Sequence, residues 1–205
     1  MSWSLWLTLV AAAALISFTP GAGAINTMAN SLGSGWTRSI WGILGQQVAL
    51  LTHVAIVAAG VGVVVAGSPT LFTVIRYAGA AYLVYLGVRQ FRSRVVAGTV
   101  GAAEREPAGA MLRRGLLVNL TNPKAVVFFL AFMPQFIRPD RPLATQYAVL
   151  AATVVAIDVV VMWFFFAAAA RGLGRLTRRE SGQRTLGRVF GGLFVGVGVL
   201  LAAVR

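Results

Sequence analysis

The chain has 205 residues, 58% of them hydrophobic and 11% charged, with a net charge of +13 and no cysteine. That balance suits a bilayer better than water, and the missing cysteines exclude a disulfide framework. Apolar runs of spanning length recur six times, at Trp3–Thr19, Ser39–Ala66, Leu71–Val88, Leu116–Phe136, Leu143–Ala170 and Val189–Val204. About 20 residues, rising about 1.5 Å each, cross a hydrocarbon core about 30 Å thick. The reading is an all-α membrane protein of six transmembrane helices, a single domain over residues 1–205 with almost no chain left for a soluble unit.

The first run ends near Gly21-Ala-Gly-Ala24, as a cleaved leader could, but no Lys or Arg precedes Arg38. Without a basic n-region, and with Trp3 and Trp6 placed as interfacial anchors, it is read as a retained membrane helix. Thr19-Pro20-Gly21 breaks this first span. The second span carries His53 at its middle. That residue is either a group titrating near neutral pH or a hydrogen-bonded packing residue.

The connection over 89–114 after the third span is basic, with Arg89, Arg92, Arg94, Arg105, Arg113 and Arg114. The fourth span holds Asn119, Asn122, Pro123 and Lys124 inside an apolar run. Ionisable groups and broken backbone persist in a bilayer only where protein covers them or a polar cavity takes them in. The fifth span contains Asp158, the only carboxylate well inside any of the six. Its role is proton carriage, contact with a substrate amine, or a structural pair with Lys124. The fifth-to-sixth connection is again basic, with Arg171, Arg175, Arg178, Arg179, Arg184 and Arg188. Gly192 and Gly196 of the sixth span form a small-xxx-small pair suited to close helix packing.

The three connections that share one face carry thirteen basic residues, against Arg138, Arg141 and Arg205 on the other. This is a topology signal rather than a nucleic-acid surface, and it places both termini outside the cytoplasm. Halving the chain suggests two inverted three-helix repeats, residues 1–90 and 110–205, with broken first and fourth helices. Pro20 and Pro123 lie 103 positions apart, and His53 and Asp158 follow them by 33 and 35 residues. Three spans per half give opposite orientations, a recurring plan of secondary transporters that bind at the midplane.

At each break a new half-helix would present N–H groups and a positive dipole end to a carboxylate. Freed carbonyls and the amides of Asn119 and Asn122 could accept from an ammonium. Lys124 could pair with Asp158, hold a carboxylate, or alternate between them. The candidate substrate site is therefore Thr19, Pro20, Gly21, Gly23, Asn26, Asn119, Asn122, Pro123 and Lys124, with Asp158 and His53 as candidate proton-coupling groups.

Thr19-Pro-Gly-Ala-Gly-Ala-Ile-Asn-Thr-Met28 and Val118-Asn-Leu-Thr-Asn-Pro-Lys124, followed by Phe132-Met-Pro-Gln-Phe-Ile137, resemble the LysE/RhtB family of amino-acid exporters. Ala78-Gly-Ala-Ala-Tyr-Leu83 with Leu86-Gly87 resembles the family's third span. The usual Pro-Gly-Pro pattern is altered here, Ala22 standing for the second proline. The Gly-Ala-Gly-Ala-Ile-Asn-Thr-Met version, with Ile157-Asp158, is most similar to the branch that exports homoserine and its lactone. The resemblance implies proton-driven efflux of a small neutral amino acid, homoserine, its lactone or threonine, across a bacterial inner membrane. The partners are then an amino acid, protons and the bilayer, with no cofactor, no metal and no nucleic acid. Homo-oligomerisation stays open.

Two rival classes remain. One is a transporter of the same fold for another amino acid, a cation or a lipid, although no Cys/Met/His/carboxylate cluster favours a transition metal. The other is a non-transport membrane protein, an intramembrane enzyme or an assembly factor. No paired carboxylates, Ser/His set or metal motif supports catalysis.

Overall fold

The computed structural model describes residues 1–67, 69–92, 106–138 and 140–170, and single helical positions between 185 and 202. Every regular element among the described residues is helical. The sixth apolar run and the basic stretches 93–105 and 171–184 lie largely or wholly outside them, as do Gln183 and Arg205.

Two breaks organise the chain, and proline makes both. α1 (Trp3–Phe18) stops because Pro20 disfavours helical backbone at the residue before it. Thr19 accordingly sits at φ −73°, ψ 115°. α2 (Ala22–Ser34) then starts at an angle of 57° to α1 and ends at Gly35, whose φ of 95° favours a residue without a side chain. The pattern returns at α5 (Ala108–Leu120). Asn122 is extended at φ −72°, ψ 110°, and α6 (Pro123–Val127) leaves at 53° with Pro123 in its first turn. α6 widens into a π-helical turn at Phe128–Phe132 and tightens into a 3₁₀ turn at Met133–Phe136.

Between the broken pairs lie α3 (Ile40–Gly67) and α4 (Pro69–Arg92), and α7 (Leu143–Val160) follows them with a π-helical continuation over Val161–Ala167. Thr37–Gly60 and Leu143–Ala167 are each long and apolar enough to cross a membrane. Each bent pair passes the same test as a unit, so two to four spans stand among the described residues. Taken as one unit, the first bent pair extends past the Thr19 limit expected from hydropathy. α2 carries Asn26, Thr27 and Asn30, polar yet buried against protein, so an apolar window does not register it.

α3 and α5 make the tightest crossing. A Cβ on Gly45 would collide with the Leu112 carbonyl, and one on Gly115 with the Gly42 carbonyl. Glycine is required there because backbone meets backbone. Gly192 and Gly196 behave differently, since a Cβ on either would meet nothing within 4 Å among the described residues. It is Gly87 of α4 that packs against the last helix, facing the Gly191 carbonyl and Val195.

α1 lies on α7, where Trp6 Nε1 donates to Thr153 Oγ1 at 3.1 Å. α2 lies on the π continuation of α7, where Ser31 donates to the Ala167 carbonyl at 2.6 Å. The larger core cluster includes Leu9, Ala13, Leu50, Val57, Phe128, Phe132 and Leu150, and a smaller one gathers Ala24, Ile43, Val161, Met162 and Phe166. Leu44, Val48, Leu51, Val160 and Phe164 point outward, the composition a lipid-facing surface needs. Stacked tryptophans mark both ends of the α1–α2 pair: Trp3 on Trp6 at 4.8 Å and Trp36 on Trp163 at 5.1 Å. Indoles favour the two membrane–water boundaries.

Candidate functional site

Between the two breaks lies a partly open cavity, about 460 Å³ with the adjoining open space counted, lined on its polar side by Ser17, Gly23, Gln46, Asn119, Asn122, Lys124 and Asp158. Leu50, Ala125, Phe128, Phe129, Val154 and Met162 supply the apolar wall. Five residues expected from the sequence meet here: Gly23, Asn119, Asn122, Lys124 and Asp158.

Lys124 stands in the first turn of α6 but reaches across to the other break. Its Nζ donates to the carbonyls of Ile16 at 2.9 Å and Thr19 at 2.6 Å. Those oxygens lie at the C-terminal end of α1, where a cation is favoured, and the Ile16 carbonyl also accepts from the Thr19 N–H. The stem passes Gly21 at ordinary contact distance, since a Cβ there would lie 3.4 Å from Lys124 Cε. Two of the three ammonium donors are thereby used, and one is left for the cavity.

Asp158 takes different partners. Ser17 donates to Oδ1 at 2.9 Å, and Gln47 Nε2 donates to Oδ2 at 2.8 Å. The two charges share the cavity without sharing hydrogen bonds. Asp158 lies in the last turn of α7, its backbone carbonyl accepting from the Val161 N–H, and the π turn starts three residues after it. π turns are rare and recur at functional sites.

The amides do more structural work than the sequence reading assigned them. Asn122 Oδ1 caps α6 by accepting from the Lys124 N–H at 3.1 Å. Its Nδ2 turns to Asn119 Oδ1 at 3.4 Å, and Asn119 Nδ2 donates to the Gln46 carbonyl at 3.0 Å. Gln46 Nε2 donates to the Gly23 carbonyl and to Thr27 Oγ1. A Cβ on Gly23 would come within 2.8 Å of Gln46 Oε1, so glycine admits this buried amide.

Thr19, Pro20, Gly21 and Pro123 form the breaks rather than the lining. The Thr19 hydroxyl returns to the Leu15 carbonyl at 2.7 Å. Asn26 faces Arg114 instead of the cavity, with Oδ1 accepting from Nε at 3.0 Å. His53 is outside the lining too, stacked on Phe129 at 5.6 Å with Nδ1 buried and unpartnered. Sequence reasoning missed Ser17, Gln46 and Gln47. The adjacent glutamines inside an apolar span carried the same signal that exposed Asp158, whereas a lone serine in a membrane helix carries almost none. No group of three His, Asp or Glu side chains that could hold a metal occurs among the described residues.

Comparison with known proteins matches residues 14–204 to the model of the LysE type translocator family. A homoserine/homoserine lactone efflux protein of Salmonella typhimurium is 36% identical, covering 100% of this chain and 99% of its own. An uncharacterized membrane protein of Vibrio cholerae is 39% identical over the full length of both chains. A leucine efflux protein of an Enterobacter species is 29% identical over 97% of this chain and 95% of its own. No solved structure matches. By this match over residues 14–204 and the full-length relatives, the chain belongs to the LysE type translocator family.

Proposed function

We propose that the chain exports small neutral amino acids, homoserine, its lactone or threonine, across the bacterial inner membrane in exchange for protons. The observation that carries this reading is one cavity, between two broken helices, lined by both a carboxylate and an ammonium. An amino-acid zwitterion needs that pair of charges. The names of the homoserine and leucine efflux relatives support the substrate class.

The substrate carboxylate meets the remaining Lys124 donor and the first turn of α2, where Gly23 and Ala24 line the cavity and their N–H groups have no intrahelical partner. The ammonium meets Asp158, and the apolar wall takes the side chain. A proton arriving from the periplasm neutralises Asp158, weakens its hold on the ammonium and links proton movement inward to substrate movement outward. Six spans in two inverted repeats supply alternating access by rocking one repeat against the other. His53, beside the cavity on Phe129, is the second candidate on the proton route.

Inside-out vesicles containing the purified chain test the reading. They take up labelled homoserine and threonine faster than protein-free vesicles. Equal rates across a panel of amino acids would overturn it.

A further inference from the structure

A second polar cluster joins α2 to α5, away from the cavity and toward the Ser34 end of α2. Arg114 donates from Nε to Asn26 Oδ1 at 3.0 Å and from Nη2 to Asn30 Oδ1. The same guanidinium pairs with the Glu106 carboxylate at 2.7 Å. Arg38 Nη2 holds the Glu106 carbonyl at 2.9 Å. Asn26 and Asn30 are 7% and 2% exposed, while the Arg114 and Glu106 side chains are 43% and 25% exposed, so the cluster runs from interior to surface.

The asparagines are turned in a telling way. Their Nδ2 groups are buried without partners and fill the space beside Gly42, where a Cβ would strike the Asn30 amide. Both amides leave donors unsatisfied and give their oxygens to one guanidinium. α2 and α5 are thus pinned through a single cation whose only anionic partner among the described residues is a carboxylate of the same chain.

The cluster and the cavity share two helices. Asn119, which lines the cavity, follows Arg114 by five residues, about 7.5 Å along the helix. Gly23 and Ala24, which line it on α2, lead along that helix to Asn26 and Asn30. α2 and α5 therefore carry both the cluster and part of the cavity wall.

We propose that Arg114 is a carboxylate-docking residue at the inner mouth, with Glu106 as its resident stand-in, and that the substrate's carboxylate releases α2 from α5 by displacing Glu106 and the asparagine oxygens. The proposal rests on the exporter reading, with this end cytoplasmic. A guanidinium binds a carboxylate through two parallel N–H donors, and an incoming amino acid presents the same group as Glu106. Exchange of one carboxylate for another keeps the cation paired throughout, whereas simple opening would strand it. A lactone has no carboxylate to exchange.

Two substitutions with opposite expected signs decide the matter. In inside-out vesicles the half-saturating homoserine concentration rises about tenfold or more in Arg114→Gln, because a charge-assisted contact is gone. That of homoserine lactone rises far less. In Glu106→Gln the homoserine value falls severalfold, because the competing carboxylate is gone. A purely structural bridge makes both substitutions weaken export, and that result overturns the proposal while leaving the exporter reading in place. If Arg114→Gln does not reach the membrane, the Glu106→Gln value decides alone: a fall supports the proposal, and a rise or no change overturns it. Absence of any export by the unsubstituted chain overturns both.

Discussion

Lys124 concentrates two roles in one side chain. It holds the last carbonyls of α1 and keeps one donor for the cavity. Lys124→Ala is expected to raise the homoserine concentration needed for half-maximal export by about one to two decades, as the loss of a roughly 1.5–3 kcal/mol charge-assisted bond implies. The lactone, with no carboxylate, should be affected less. Both are measured in the same vesicles after matching protein amounts, since the Ile16 and Thr19 carbonyls lose their partner. Equal weakening of acid and lactone would move the carboxylate contact to the first turn of α2. At this scale the sequence was legible where a residue clashes with its surroundings: proline in a span, lysine and aspartate in apolar runs. It was less legible where one group serves two masters. Asn122 lines the cavity, yet the start of α6 also takes its oxygen.

Helices meet here according to where side chains are absent. Gly115 lies against the Gly42 carbonyl and Gly45 against the Leu112 carbonyl, with no flexible group able to yield. Gly115→Ala should destabilise the purified protein by about 1–3 kcal/mol, the usual cost of forcing atoms into a filled space. Gly192→Ala and Gly196→Ala, which meet no neighbour among the described residues, should leave it nearly unchanged. Thermal unfolding in detergent checks this, and equal losses at all three positions would contradict the assigned crossing. Both breaks were legible as elements, because proline restricts its own φ and the residue before it. The glycine crossing was not, because Gly42, Gly45 and Gly115 belong to different helices and only folding brings them together. The Gly192/Gly196 spacing looked like a packing motif, yet its partner surface is absent within the described residues. The π turns at Phe128–Phe132 and Val161–Ala167 left no mark in the local sequence either.

For the whole molecule, the uneven basic residues set the expected orientation. With both termini periplasmic, a single cysteine placed at Ser2 should react with an impermeant thiol reagent in intact cells. One placed at Gln183 should react only after the membrane is opened. The chain has no native cysteine, so each label reports one position. Labelling of Gln183→Cys but not Ser2→Cys would invert the orientation and place the Arg114 cluster at the outer mouth. The central claim is that Asp158 couples protons to amino-acid export, and its most direct test is uphill uptake by inside-out vesicles with an acidic lumen. The unsubstituted chain should accumulate homoserine above the outside concentration and lose that accumulation when the gradient is collapsed. Asp158→Asn, which keeps the size and hydrogen bonding but cannot carry the proton, should exchange labelled for unlabelled homoserine without accumulating it. Accumulation by Asp158→Asn with the pH dependence of the unsubstituted chain would contradict the account.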